Sequence, residues 1–168
     1  MERSRDRKST ELRIGHGSDV HAFVVGRPLV LGGVTIPYER GLAGHSDADA
    51  VLHAVCDALL GATGRGDIGT RFPNTSPEWK DADSRKLLGA VWSDISGEGW
   101  AVVNLDIAVL AEAPKLTPHI PAMKGCLAEI LGLSPDRIGI KATTTEKLGF
   151  VGRGEGLMAS AVVLLSRG

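Results

Sequence analysis

The sequence predicts an α+β two-layer sandwich, a mixed β-sheet packed against helices. Three observations carry that reading. Segments that alternate apolar and polar residues, or run apolar over a short stretch, are interspersed with segments whose apolar residues recur at helical spacing. The two kinds mix without a strict strand–helix–strand alternation, and no repeat, low-complexity tract or linker divides them. With 168 residues, 43% of them hydrophobic, the chain is long enough to bury one sizeable core.

Residues 1–11 begin MERSRDRKST, charged and nearly free of apolar side chains, which predicts a flexible extension ahead of a single domain over 12–168. Leu12 to Phe23 opens the fold as a short strand. Its tail carries Asp19 and His21, two residues apart and so on one side of an extended chain. Leu29–Leu31 and Val34–Ile36 flank Gly32-Gly33, a hairpin turning at its glycines. Ala43 to Leu60, AGHSDADAVLHAVCDALL, is the most unusual stretch. Ser46 reads as a helix N-cap and Asp49 as its capping-box partner, with acids at the positive helix end. Val51, Leu52, Val55, Cys56, Leu59 and Leu60 form an apolar stripe, and Asp49, His53 and Asp57 stack beside it at i, i+4 spacing.

Gly61 to Asn74 is a glycine-rich loop in which Asp67 and Gly69 are the best ligand candidates. A second helix runs from Ser84 to near Gly97 on Leu87, Leu88, Val91, Trp92 and Ile95, and Trp100 to Ala111 alternates as a long strand. Pro118 and Pro121 fit in or before the first turn of a third helix, whose stripe of Met123, Leu127, Ile130 and Leu131 is closed by Gly132. Ile138–Ala142 and Leu157–Leu165 are further strands. Between them Thr143 to Gly156, TTTEKLGFVGRGEG, is too rich in hydroxyls and charges to be a plain turn.

A net charge of −1 offers no field for nucleic acid or an anionic membrane. The apolar runs are too short to span a bilayer, and the N-terminus lacks the apolar core of a secretory signal. Cys56 and Cys126 fall in helical patterns without CxxC spacing, so they read as reduced thiols, which suits the cytoplasm.

Asp19, His21 and His53 supply one carboxylate and two imidazoles, the donor set of an open tetrahedral zinc site with a fourth position for water or substrate. Taken singly, each is more often a satisfied structural residue. The joint pattern, with Asp49 and Asp57 placed to orient the free nitrogen of His53, points to a metal. His45 and Ser46 stand at a helix N-terminus, where amides and dipole favour phosphate oxygens. Thr143, Thr144, Thr145, Glu146 and Lys147 suit diphosphate oxygens and a hard Mg²⁺ or Mn²⁺ ion. Arg153, with Phe150 nearby, could grip an anion beside an apolar surface.

Five ordered blocks, RIGHGSDVHAF, GLAGHSDADAVLHAVCDALLGA, GDIGTRFPN, APK and KATTTEKLGFVGRGEG, resemble the 2-C-methyl-D-erythritol 2,4-cyclodiphosphate synthases of the non-mevalonate isoprenoid pathway. The likeness runs from Arg13 to about Ser166. It implies a homotrimer with active sites at subunit interfaces, and one Zn²⁺ per subunit on Asp19, His21 and His53. The substrate it implies is linked to cytidine diphosphate: 4-diphosphocytidyl-2-C-methyl-D-erythritol 2-phosphate, closed to the cyclodiphosphate with release of CMP.

By the same resemblance, His45, Thr144 and Glu146 are catalytic, with Glu146 also holding Mg²⁺ or Mn²⁺ indirectly through the phosphates. Ser46, Asp67, Gly69, Asn74, Ala111, Pro114, Lys115, Thr143 and Thr144 bind substrate. Phe150 and Arg153 border a central cavity that accepts an isoprenoid diphosphate. Ser18 stands where the family pattern has Phe, Asn74 where it has Asp, and Leu116 and Thr117 differ in size from common choices. The residues themselves leave open a metal phosphoesterase and a diphosphate-binding module built on the same three ligands.

Overall fold

The computed structural model describes residues 10–73 and 75–168; the predicted extension, apart from Thr10 and Glu11, and Asn74 lie outside them. In chain order the described residues form β1 (Glu11–Val25), β2 (Leu29–Leu31), β3 (Val34–Ile36), β4 (Arg40–Leu42), α1 (Ala50–Ala62) and α2 (Ile68–Arg71). There follow α3 (Ser84–Gly97), β5 (Ala101–Leu110), α4 (Ile120–Leu131), β6 (Ile138–Thr143), α5 (Gly149–Gly152) and β7 (Gly156–Arg167). Five strands make one sheet in the order β4-β1-β7-β5-β6, antiparallel throughout except for the parallel β5–β6 pair, and β2–β3 is a separate hairpin. The sheet is mixed and the class is α+β, as the sequence predicts.

One face of the sheet carries the core. Leu157, Ala159, Ala161, Val163 and Leu165 of β7 and Leu105, Ile107 and Val109 of β5 are all buried. The helix α1 lies against β1 and β7 and is buried on nearly every side; within Val51–Leu60 only His53 and Asp57 break the burial. A helix apolar all round belongs inside a domain, and here the one half-open strip is the one that carries ionisable groups.

Two glycines of β1 let α1 in so close. A Cβ on Gly15 would stand 1.8 Å from the Ala58 carbonyl oxygen, and one on Gly17 would stand 2.1 Å from that of Ala54. Two residues of strand rise about 6.6 Å and four residues of helix about 6 Å, so β1 and α1 run past each other in matched steps. The next step brings Asp19 level with the start of α1, beside His53.

The sequence places the hairpin, α3 and α4 well. Asp83 caps α3, and Gly132 ends α4 in the left-handed conformation at φ 62°. Four expectations change. The first strand extends to Val25, because its far end pairs with β4, which has no local signature of its own. The helix α1 starts at Ala50 rather than Ser46, since Asp49 is its N-cap: it accepts from the Val51 and Leu52 amides. The glycine-rich loop contains the short α2, and the 143–156 segment contains α5.

Candidate metal centre and phosphate-binding cavity

Asp19 and His21 stand on β1 facing the helices, and His53 stands on the half-open strip of α1. Asp19 Oδ2 is 2.8 Å from His21 Nε2 and 2.9 Å from His53 Nδ1, and the two ring nitrogens are 3.4 Å apart. Other partners assign both tautomers. His21 Nδ1 donates to the Ala43 carbonyl at 2.6 Å, which leaves a lone pair on Nε2. His53 Nε2 is 2.9 Å from Ser84 Oγ, whose own hydrogen goes to Asp47, so Nε2 carries the hydrogen and Nδ1 the lone pair.

Two imidazole lone pairs and a carboxylate oxygen thus converge on one point. All three ligand atoms lie within 4.8 Å of one another. Such a set is repulsive unless a cation fills it, and it fits a divalent metal ion with an open position. With no metal bound, protons answer the same demand. Burial pushes the Asp19 carboxyl up, but His21 and then His53 outweigh it and hold it well below the usual carboxylate range. Burial pulls His21 down, but Asp19 outweighs it and leaves its pKa raised.

A cavity of about 230 Å³ opens over the cluster, lined also by His45, Ser46 and Gly69. Its far wall is apolar, with Phe72 and Trp79 packed edge to face at 4.9 Å between ring centroids. His45 Nε2 donates to the Ser76 carbonyl at 3.1 Å, and Arg27 grips the carbonyls of Gly44 and Ser46. The turn before α1 is therefore tied down on both sides.

Asp49 and Asp57 do other work than orienting His53. Asp49 is fully buried and accepts four backbone amides, from Gly32 and Gly33 of the hairpin turn and from Val51 and Leu52 of α1. Burial pushes its pKa up to about 6 against those amides. Asp57 accepts the Ile68 amide at 2.7 Å and so fastens the Asp67–Gly69 loop to α1. Asp67 caps α2 through the Thr70 amide at 2.7 Å. The residues that contact the outer nitrogen of His53 are Ser84 and Ser46. Asp47, Ser84 and Arg27, the Phe72–Trp79 wall and Glu112 are among the site residues that the sequence reading missed. Ser84 is visible in sequence only as a helix start, and Arg27 gives no signal.

Ala111, Pro114, Lys115, Thr143 and Thr144 line a second pocket of about 500 Å³ at the β5–β6 edge. The Thr144 hydroxyl donates to Glu146 Oε1 at 2.9 Å. Glu146 and Lys147 are consecutive non-glycine residues at φ 53° and 66°, a strained turn. Glu112 holds it by accepting from the Thr145 and Lys147 amides and, at 2.7 Å, from Lys147 Nζ. Phe150 and Arg153 line neither pocket, and Arg153 is paired with Glu155 in two hydrogen bonds.

Asp19, Ala159, Val109 and Ala142 stand in one row across β1, β7, β5 and β6. The two pockets therefore open at the same end of the sheet, separated by three strand spacings, roughly 14 Å. Among the described residues they share no lining residue.

An α+β sheet-and-helix protein with an open Asp–His–His cluster beside a phosphate-sized cavity falls in the class of candidate metal-centred phosphoryl-transfer enzymes. Within that class its place is specific: residues 12–166 match the YgbB family, and the chain belongs to it. It is 60% identical over 156 residues to the 2-C-methyl-D-erythritol 2,4-cyclodiphosphate synthase of Geotalea uraniireducens, covering 93% of this chain and 99% of that one. Among solved structures, a 2-C-methyl-D-erythritol 2,4-cyclodiphosphate synthase in its CDP-bound form superposes with a TM-score of 0.84 at 40% identity, covering 91% of this chain and 99% of that one. The bifunctional IspDF of Campylobacter jejuni superposes at 0.91 with 44% identity, covering 95% of this chain and 43% of that longer one. The chain has 2-C-methyl-D-erythritol 2,4-cyclodiphosphate synthase activity, a lyase step of the non-mevalonate isoprenoid pathway. Among the described residues no helix is long and apolar enough to cross a membrane.

Proposed function

We propose that this chain works as a homotrimer whose active sites each join the metal pocket of one subunit to the threonine pocket of its neighbour. The observation that carries the reading is the separation of the two pockets by three strand spacings with no residue in common. The uncovered face of the sheet supports it. Leu12, Ile14, Val20 and Val162 are between 43% and 73% exposed there, an apolar surface suited to a neighbouring copy. Residues 12–168 act as one unit, and the two free cysteines agree with a cytoplasmic protein.

The substrate is 4-diphosphocytidyl-2-C-methyl-D-erythritol 2-phosphate. Its 2-phosphate oxygen attacks the β-phosphorus, the bond from that phosphorus to the bridging oxygen breaks, and CMP leaves with the electron pair. Asp19, His21 and His53 would hold Zn²⁺, and Glu146 would hold Mg²⁺ or Mn²⁺ through phosphate oxygens. When bound, these cations supply charge neutralisation at the reacting phosphates.

The rest falls to the chain. Ser46 and His45 fix phosphate oxygens at the mouth of α1, Gly69 and the Asp67 loop close over the polyol, and the Phe72–Trp79 wall takes its branched carbon. Thr143 and Thr144 hold the diphosphate. Ala111, Pro114 and Lys115 receive the cytidine. No protein nucleophile is needed, because alignment of the two phosphate groups makes the attack unimolecular. Asn74 belongs to the polyol contacts, and Phe150 and Arg153 face a central cavity that takes an isoprenoid diphosphate.

Complementation tests the shared site. His53→Ala should lose zinc and Glu146→Gln should lose its Mg²⁺ response while keeping zinc, each with little activity. Co-expressed, they should regain activity in about a quarter of the sites, those with an intact half from each variant. No recovery in verified mixed assemblies would place each whole site within one subunit.

A further inference from the structure

His53 meets two hydroxyls at its outer nitrogen, and they are not equivalent. Ser84 Oγ lies at 2.9 Å and Ser46 Oγ at 3.2 Å. Ser84 is fully buried and opens α3. Both of its hydrogens are committed to one carboxylate: the hydroxyl donates to Asp47 Oδ1, and the backbone amide donates to Asp47 Oδ2 at 3.0 Å. A hydroxyl whose hydrogen is spent can only accept from Nε2. Ser46 differs. Its oxygen accepts from the Ala48 amide at 3.2 Å, it lines the cavity, and its hydrogen remains available there.

Asp47 is itself held in a strap. Its amide donates to the Ala82 carbonyl at 3.1 Å, and the Asp81 amide donates to the His45 carbonyl at 2.8 Å. The segment leading into α3 is thus laced to the turn leading into α1, with the Asp47–Ser84 pair at the joint. His53 is fixed from a residue 31 positions away in sequence.

We propose that Ser84 and Asp47 are positioning residues that set the tautomer of His53, and through it the affinity of the Asp19–His21–His53 cluster for its cation, while Ser46 serves the substrate instead. The relay has a direction. Asp47 takes the hydroxyl hydrogen, Ser84 takes the imidazole hydrogen, and the lone pair is left on Nδ1, 2.9 Å from Asp19 Oδ2. Outer partners of metal-bound histidines act this way in general, and their loss costs about ten- to a hundredfold in metal affinity. Asp47→Asn should reverse the relay: an amide N–H facing Ser84 Oγ turns the hydroxyl hydrogen toward Nε2, which favours the Nδ1–H form and removes the lone pair from the cluster.

The inference rests on the metal reading above, and the test separates the two. Zinc affinity is measured by competition with a chromophoric chelator for wild type, His53→Ala, Ser84→Ala, Asp47→Asn and Ser46→Ala. The His53 Nε2–H of the zinc-loaded wild-type, Ser84→Ala and Asp47→Asn proteins is followed by ¹H–¹⁵N NMR, assigned by comparison with His53→Ala. Ser84→Ala and Asp47→Asn should weaken zinc by about ten- to a hundredfold while Ser46→Ala stays within about twofold of wild type. In the zinc-loaded wild type the Nε2–H proton should resonate downfield as a hydrogen-bond donor to Ser84, and Ser84→Ala and Asp47→Asn should move it upfield.

Zinc affinities of Ser84→Ala and Asp47→Asn equal to wild type, or an Nε2–H resonance that neither variant moves, would overturn the relay. If Ser84→Ala does not fold, Asp47→Asn still decides by both measurements. Zinc binding by His53→Ala equal to wild type would instead overturn the metal reading itself.

Discussion

The metal pocket and the threonine pocket lie at one end of the same sheet and are built on opposite principles. Around Asp19, His21 and His53, the site side chains are held by partners from several elements: β1, α1, α3 and the turns before the last two. The cavity is small, and the two imidazole rings are oriented before any ligand arrives. Around Thr143 to Lys147, a strained exposed turn is held by one carboxylate, Glu112, and among the described residues Thr144 finds only Glu146 as its side-chain partner. One half is preorganised within the chain, and the other presents hydroxyls and charge at a sheet edge. A ligand, or the neighbouring copy proposed above, has more to order in the second half than in the first.

That contrast is open to attack from both sides. The largest effect should come from Gly17→Ala. Its new methyl would meet the Ala54 carbonyl, which is backbone and cannot swing aside as a side chain would. Melting should report a loss of roughly 3 kcal/mol, as overpacking does. If α1 shifts by about 1 Å, turnover should fall about a hundredfold together with zinc content. A variant with wild-type stability and zinc would mean that the helix does not depend on that close approach.

Glu112→Gln should be milder and confined to the other half. It should raise the Mg²⁺ concentration needed for half-maximal activity by about tenfold with zinc content unchanged. The Lys147 side chain, first, and the two amides hold the Glu112 pKa below its ordinary value. Its hold on the turn is therefore complete above the ordinary glutamate pKa and is lost as pH falls through the depressed value. A parallel loss of zinc in Glu112→Gln would erase the distinction between the halves.

The smallest effect belongs to Asp49. Burial raises its pKa from 3.8 to about 6, so between those values the folded chain binds a proton that the unfolded chain does not, and stability declines as pH rises across that interval. Asp49→Asn should cost about 1 kcal/mol at neutral pH, because the amide nitrogen that replaces one carboxylate oxygen leaves the Gly33 N–H without its acceptor, and should flatten that decline. Chemical denaturation at a series of pH values checks both.

What the sequence makes legible here is local. Gly32-Gly33 turns a hairpin, Asp19 and His21 share a side because they are two residues apart, and Gly132 stops α4. The failures have a common cause. Ser46 and Asp49 are both good caps in isolation, and Asp49 prevails because it also satisfies the Gly32 and Gly33 amides of the hairpin. Similarly β4 exists because β1 offers it an edge. Helical spacing points to Asp49 and Asp57 as the orienting contacts on His53, whereas the contact comes from Ser84 on another helix. That Asp19, His21 and His53 form a cluster able to hold a cation is legible because it needs only residue types; its support is not, because that depends on which distant segments meet.

The matched steps of β1 and α1 have a consequence for folding. A strand that slips by one residue turns every side chain to the other face. Such a slip of β1 by one residue would send Asp19 and His21 to the uncovered face and drive His16 and Ser18 toward the helix, where the glycines at 15 and 17 now leave room. The chain could then neither seat α1 nor complete the three-ligand cluster. A misregistered chain is thus disqualified twice, once sterically and once chemically, and a protein that holds its cation has, by that fact, been proofread along the length of its longest strand.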